Sequence, residues 1–263
     1  MFERIKDCIC HPRYIGKYHK DNAGIVFLTI LIFFVLCLSI LGARSYTTRP
    51  FDESVGLGFT SNLIQAGPKN TKYTKEDHLL SGESFVVDGG GYRLIVLPEE
   101  GNLNLKLNTI TIVLNSSDAV IYFSDYDVSK ISYSSLQLAD FDLGNVATNV
   151  PKDTYYFRIM IDGILDSSKI FFQTFSFLQE MISILVYYLI CVLFCYVLSI
   201  AINPTINRGV RAKFSFYDGC VFLIGAFFAY LFNVEILLYL ALALPLVYTG
   251  ITFRHVVKVV IKR

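Results

Sequence analysis

The chain has 263 residues, of which 54% are hydrophobic, and its mean hydropathy is +0.50. This composition is too apolar for an ordinary soluble domain and is typical of an integral membrane protein. Residues 44–178 hold 11 Lys and Arg against 16 Asp and Glu, a net charge of −5, whereas the remainder holds 12 against 6, a net charge of +6. The basic remainder favours contact with anionic lipid, and nothing in the sequence indicates a nucleic-acid partner.

Residues 1–22 come first in the chain and carry an amphipathic pattern. Three apolar residues share one helical face with two basic residues beside it: Phe2, Ile5 and Ile9, with Arg4 and Lys6. The helix should end at His11-Pro12, because proline interrupts helical hydrogen bonding. The pattern is compatible with a short helix on the inner leaflet or with a flexible basic tail.

Four apolar segments are long enough to cross a hydrocarbon core of about 30 Å. They are predicted at residues 23–43, 179–202, 214–232 and 236–253, joined by a loop at 203–213 and a turn at 233–235, and followed by a tail at 254–263. The first is expected to be an uncleaved anchor, since the apolar stretch is longer than the usual core of a signal peptide. The second helix is expected to begin near Asp166 and run unbroken to Ile202.

The third and fourth segments contain features that suit close helix packing. Gly225 and Ala229 form a small-xxx-small pair, and Pro245 should kink the fourth helix. Asp218 is expected near the cytoplasmic interface, within reach of lipid headgroups or of Arg211 and Lys213. With no ionisable residue expected at mid-membrane, an ion-coupled transporter is disfavoured.

Basic residues fix the predicted orientation. All twelve outside residues 44–178 border an apolar segment, in three clusters: Arg4, Lys6, Arg13, Lys17 and Lys20; Arg208, Arg211 and Lys213; Arg254, Lys258, Lys262 and Arg263. Because Lys and Arg are retained on the cytoplasmic side, both termini are predicted inside and residues 44–178 outside the plasma membrane. None of the six cysteines lies in residues 44–178, a usage that favours a bacterial membrane.

Residues 44–178 are predicted to form a mainly β or α+β domain between the first and second helices. Alternating apolar residues indicate a hairpin, with strands at Phe85–Asp88 and Tyr92–Leu97 around a Gly-rich turn. Further strands are predicted at 103–115, 119–124 and 154–161, with a turn at 115–118 and a short helix near 61–66.

Two acidic pairs in this domain are Asp125 with Asp127 and Asp140 with Asp142. Both are expected to be solvated turn residues, and a loose cation or ligand site is the alternative. The first pair begins like a calcium loop but lacks the glycine and glutamate that such a loop needs. His78, the domain's only histidine, has no G-x-S-x-G elbow in the sequence to supply a nucleophile. Cys8-x-Cys10-His11 lacks the second ligand pair of a zinc site. The sequence therefore predicts neither an enzyme nor a cofactor.

Two short motifs combine basic and aromatic residues: residues 9–18, Ile-Cys-His-Pro-Arg-Tyr-Ile-Gly-Lys-Tyr, before the first helix, and residues 211–216, Arg-Ala-Lys-Phe-Ser-Phe, at the third. They resemble motifs of a bacterial membrane-protein family of unknown function that includes the maltodextrin-utilisation protein MalA. The resemblance implies a first helix, an extracytoplasmic domain and three clustered helices, with no catalytic residues and an association with sugar uptake. We expect a non-catalytic accessory or assembly factor with a membrane-protein partner, such as a sugar ABC transporter; an extracytoplasmic sensor signalling through a partner is the alternative.

Overall fold

The structure is a computed structural model that describes residues 1–48, 51, 53–89, 91–99, 103 and 105–260. Its helices are α1 (Phe2–Cys10), α2 (Ala23–Thr47), α3 (Glu53–Ala66), α4 (Leu143–Ala147), α5 (Pro151–Ser167), α6 (Lys169–Ile202), α7 (Arg208–Phe232) and α8 (Glu235–Val260), with a 3-10 segment at Pro12–Lys20. Gly90 of the predicted hairpin turn and residues 261–263 of the predicted tail lie outside the described residues. The chain divides into a helical unit, residues 1–48 and 174–263, and an inserted domain, residues 49–173.

The helical unit contains four helices that are long and apolar enough to cross a membrane, namely α2, α6, α7 and the part of α8 from Glu235 to Val256. The apolar part of α7 is more buried than that of the other three helices, and α2 and α8 both pack against α7. The α7–α8 connection is only two residues long because Asn233 adopts the left-handed conformation that ends a helix (φ 54°). The four predicted spanning helices are thus present, with α2 continuing four residues beyond the predicted end.

Among its described residues, the inserted domain contains eight strands: β1 (Thr71–Thr74), β2 (Leu79–Gly82), β3 (Phe85–Gly89), β4 (Tyr92–Val96), β5 (Ile110–Leu114), β6 (Asp118–Phe123), β7 (Tyr126–Ser132) and β8 (Phe141–Asp142). One sheet has the order β2-β1-β8, and the other has the order β3-β4-β5-β6-β7. All neighbouring strands are antiparallel except β4 and β5, which are parallel. Helices α3, α4 and α5 contribute to the same apolar core as the strands, so the domain is α+β.

The β3–β4 hairpin agrees with the sequence prediction, with Phe85 opposite Val96. The β5–β6 hairpin also agrees, and Asn115 N donates to Asp118 O at 2.8 Å in its turn. The strand predicted over 103–115 is too long, because the ladder begins only at Ile110. Asn108 interrupts the extended backbone just before it with a φ of 54°. Strands β1, β2, β7 and β8 were not predicted, and the helix expected near 61–66 begins at Glu53.

The strand predicted at 154–161 is wrong, because this segment lies inside α5. Pro151 occupies the first turn, where its missing N–H costs nothing. The buried apolar residues repeat at helical spacing, which places them on one face: Phe157, Met160, Ile161, Ile164 and Leu165. Aromatic and β-branched residues between Thr154 and Ile161 favour a strand, although the polar residues there recur every four positions, a helical period.

The unbroken helix predicted from Asp166 to Ile202 is also wrong at its beginning. Helix α5 ends at Ser167, and α6 starts at Lys169. Ser168 separates them, and its hydroxyl donates to Leu165 O at 2.8 Å as part of the cap that ends α5. Helix α6 alone has 34 residues, about 51 Å at 1.5 Å per residue.

Candidate functional site

The amino-terminal segment packs into the helical unit. Cys8 in α1 and Ile15 in the 3-10 segment are fully buried in the same apolar core as residues of α2, α7 and α8. A Cβ on Gly16 would lie 3.1 Å from Val256 Cγ2, so the chain passes α8 at close range. Tyr248 Oη donates to Ile9 O at 2.5 Å. This segment is therefore a folded part of the bundle, which argues against the flexible tail.

An ion pair fastens α1 to the start of α2. Arg4 Nε and Nη2 donate to the two carboxylate oxygens of Asp21 at 2.8 and 2.9 Å, a bidentate arrangement. Tyr217 Oη of α7 donates to Asp21 Oδ2 at 2.6 Å. The hydrogen bonds from Arg4 hold the pKa of Asp21 below its usual value. Three elements thus meet at one buried carboxylate.

A second pair of groups reinforces this junction. Tyr18 Oη donates to Asp7 Oδ2 at 2.7 Å, and the Arg4 guanidinium lies 5.0 Å from the centre of the Tyr18 ring. Burial, followed by the hydrogen bond to Asp7, raises the pKa of Tyr18. The phenol therefore stays protonated as a donor at physiological pH.

Asp218 is a candidate functional residue whose hydrogen-bond partners differ from those that the sequence predicted. It is fully buried, and it accepts hydrogen bonds from Thr249 Oγ1 at 3.1 Å and Thr252 Oγ1 at 2.8 Å, both on α8. The expected partners lie elsewhere. Arg211 Nη2 donates to Asn203 O at 3.0 Å, and Lys213 Nζ donates to His19 O at 3.4 Å.

The sequence predicts no ionisable residue at mid-membrane, and the structure shows that Asp218 is buried inside the helical unit. Asp218 is ten residues from the start of α7 and fourteen from its end. An ionisable side chain inside an apolar bundle marks a functional site by default. Thr249 and Thr252, one helical turn apart in an apolar helix, were the sequence signal that could have identified its partners.

Thr252 connects Asp218 to the amino-terminal segment. Its Oγ1 lies 2.8 Å from Asp218 Oδ1 and 3.2 Å from Pro12 O, and both atoms can accept its hydrogen. A hydroxyl carries one hydrogen, so the two acceptors compete for it unless the carboxyl itself is the donor to Thr252. The position of one proton on Asp218 thus decides whether the Pro12 carbonyl keeps its hydrogen bond. This arrangement can couple the buried acid to the fold of the amino-terminal segment.

The predicted packing residues lie on the α7–α8 hairpin. A Cβ on Gly225 would come within 2.4 Å of Ala241 Cβ, so glycine permits the close approach of the two helices. Ala229 is buried, and its carbonyl accepts the N–H of Asn233 at the end of α7. Helix α8 continues through Pro245.

The four acidic candidates of the inserted domain have separate positions. Asp140 Oδ1 accepts the backbone N–H of Lys75 at 2.6 Å, and Asp142 Oδ1 accepts that of Gly144 at 2.8 Å as the cap of α4. Asp125 lies in the β6–β7 turn and Asp127 in β7, both exposed. In the described part of the chain, no three His, Cys, Asp or Glu side chains converge in a way that could hold a metal ion.

The inserted domain also has an open cleft of about 430 Å³, a volume within the range of small-molecule sites. Its polar lining comes from Lys75, His78, Ser134, Gln137 and Tyr156. His78 has a φ of 53°, which is uncommon for a residue other than glycine, and its Nδ1 lies 3.2 Å from Tyr73 Oη. The sequence contains no nucleophile motif that would support His78 as a catalytic residue. The structure places His78 in the wall of a cleft.

The fold is defined by four helices of membrane-spanning length and composition, with a β-rich domain between the first and the second. Comparisons of the chain with protein-family models, curated proteins and solved structures returned no match.

Proposed function

We propose that the chain is a multi-pass protein of the plasma membrane, with both termini in the cytoplasm and residues 49–173 outside the cell. Four apolar helices and the basic clusters that border them support this orientation. Membrane fractions washed with alkaline carbonate should retain the full chain. Release into the supernatant would contradict membrane insertion.

Within that membrane, the protein serves as a non-catalytic accessory or assembly factor for a membrane complex. The observation that carries this proposal is an apolar stripe on α6. Six large side chains on it are between 44 and 61% exposed and recur at intervals of three and four residues: Ile182, Val186, Leu189, Leu193, Val197 and Ile200. This spacing matches the seam along which one helix packs against another.

The opposite side of α6 faces its own bundle. Ile184, Tyr188, Cys191 and Cys195 are buried there, and Tyr188 Oη donates to Phe216 O of α7 at 3.2 Å. A Cβ on Gly219 would lie 2.7 Å from Val192 Cγ2, so α7 fixes the rotation of α6. The exposed stripe therefore faces away from the bundle, where a partner helix can pack against it.

Photo-crosslinking tests this function. A benzophenone amino acid replaces Leu193 on the stripe, and a matched control replaces Phe194, which lies off the stripe on the same helix and is 59% exposed. The Leu193 probe should yield one discrete protein adduct after irradiation of whole cells, whereas the Phe194 probe should yield lipid adducts. Lipid adducts alone at both positions would contradict the proposal. The family resemblance makes the membrane subunits of a sugar ABC transporter the first partners to seek.

A second candidate function is that of an extracytoplasmic sensor, which the cleft beside His78 favours. Lys75, Gln137 and Tyr156 offer a cation, an amide and an aromatic ring to one ligand. Thermal unfolding of the full chain in detergent should shift upward with a cell-wall or sugar fragment, because a ligand that binds only the folded state stabilises it. A shift that His78→Ala leaves unchanged would remove this cleft from consideration.

A further inference from the structure

A groove between α2 and α7 combines an apolar wall with one cation, and it lies entirely within the helical unit. Its volume is about 400 Å³. Val26, Phe27 and Ile30 of α2 form one wall, and Phe216 of α7 contributes to the other. Of the described residues that line it, Lys213 is the one ionisable residue. We propose that this groove binds an anionic phospholipid, with the phosphate on Lys213 and the upper acyl chain along the wall.

The end of the groove near Lys213 has room for a headgroup. Gly209 lies one helical turn before Lys213, and a Cβ there would meet only Asn207 Oδ1, at 3.5 Å. The Lys213 ammonium lies 3.4 Å from His19 O, and the open surface at Gly209 lies on the side toward which helix side chains lean. Ala23 and Ala212, the remaining neighbours, are also small. A phosphate group can therefore approach the ammonium without displacing a side chain.

The local charge favours an anion. The Lys213 ammonium has three donors, and the His19 carbonyl takes one of them at the long distance of 3.4 Å. Asp21 interacts electrostatically with Lys213, but Arg4 already neutralises Asp21 through two hydrogen bonds. The positive charge of Lys213 is therefore available to an anionic ligand. The first turns of α2 and α7 add the positive ends of two helix dipoles to the same side.

The wall selects a lipid over a free phosphate ion. The Phe27 side chain is 65% exposed, and the groove beside it offers almost no polar surface. An acyl chain would cover this surface, and inorganic phosphate would leave it uncovered. The wall from Ala23 to Ile30 extends about 10 Å along α2. This length matches the part of an acyl chain nearest the lipid headgroup. The inference rests on the proposed membrane location and adds a defined lipid position to it.

Native mass spectrometry of the purified full chain in detergent tests the inference. Phosphatidylglycerol and phosphatidylcholine with identical acyl chains are added at equal concentration. Phosphatidylglycerol adducts should exceed phosphatidylcholine adducts, and Lys213→Gln should reduce them about fivefold, the effect of removing one cation near a membrane surface. Lys213→Arg should retain them. Lys17→Gln, which removes an exposed cation of the 3-10 segment, is the matched control and should leave them unchanged.

Three outcomes would overturn the inference: equal adducts of the two lipids, equal losses in Lys213→Gln and Lys17→Gln, or full displacement of the lipid by inorganic phosphate. Circular dichroism of each variant confirms that a loss of lipid does not reflect unfolding. If the chain is absent from washed membranes, the proposed membrane location fails. If it is present there without a preference for phosphatidylglycerol, only the lipid site fails.

Discussion

Thr252→Val should destabilise the protein far more than its small change in volume suggests. The substitution keeps the shape of the side chain but removes the hydroxyl between Asp218 Oδ1 and Pro12 O. The single hydrogen of that hydroxyl is then missing, so at least one of these two buried acceptors loses its partner. Leaving a buried polar group unsatisfied costs about 1–3 kcal/mol, and more when the group is charged. We expect a loss of about 2 kcal/mol in the free energy of unfolding.

Thr29→Val is the matched control for this variant. Thr29 is also fully buried in an apolar helix, but its hydroxyl donates to Ile25 O of its own helix at 2.9 Å. That carbonyl can keep its helical partner, so the loss should be below about 0.5 kcal/mol. Thr252→Ser, which retains the hydroxyl, should recover most of the stability.

Unfolding in mixed micelles, followed by circular dichroism at increasing denaturing detergent, measures all three variants. The chain has no tryptophan, so helix content is the most direct signal. Equal losses for Thr252→Val and Thr29→Val would refute the reasoning, because they would show that the Asp218 network contributes nothing beyond an ordinary helix hydroxyl.

Three further predictions concern the ion pair, the helix contact and the corrected helix. Because hydrogen bonds from Arg4 lower the pKa of Asp21 in the fold, the stability they supply is present above its ordinary pKa of 3.8 and is lost as pH falls through the lower folded value. The difference in melting temperature between wild type and Asp21→Asn should therefore be constant from pH 7 to pH 5 and shrink below pH 4; a constant difference down to pH 2 would contradict it. Gly225→Ala should destabilise by about 1–3 kcal/mol, because its Cβ would collide with Ala241, whereas Gly250→Ala, with no neighbouring atom within 4 Å, should stabilise the helix slightly. Equal effects at the two glycines would rule out the close α7–α8 contact. Phe157→Ala should cost about 3–5 kcal/mol and Tyr155→Ala almost nothing, since Phe157 is buried and Tyr155 is 60% exposed on α5. A strand would place both on one face, so comparable losses in thermal unfolding would support the strand instead.

The parts of the fold that the sequence predicted are those with a strong, uninterrupted signal. The four long helices follow from continuous apolar runs, and the β3–β4 hairpin follows from alternation around a glycine turn. The α7–α8 hairpin follows from two apolar runs separated by three residues. In each case the determining information is local, so it can be identified without knowing which residues meet across the chain.

The misjudged features depend on distant contacts. Asp218 lies close in sequence to Arg211 and Lys213, yet its partners are 31 and 34 residues away on α8. The burial of Ile15 depends on how the 3-10 segment passes Val256, and the sequence of the segment alone fits equally well with a loose tail. Helix α5 was misread because the aromatic and β-branched residues from Thr154 to Ile161 favour a strand, whereas the helical spacing of its buried residues becomes clear from their packing against the core.

Labelling of introduced cysteines in intact cells tests the central claim, the proposed orientation, most directly. Five of the six native cysteines are buried and Cys10 is exposed, so Cys10→Ser supplies the background. Tyr126→Cys in the inserted domain and Lys17→Cys in the amino-terminal segment then receive a maleimide that cannot cross membranes. The account predicts labelling of Tyr126→Cys in intact cells and of Lys17→Cys only after permeabilisation. Labelling of Lys17→Cys in intact cells, with Tyr126→Cys protected, would contradict it.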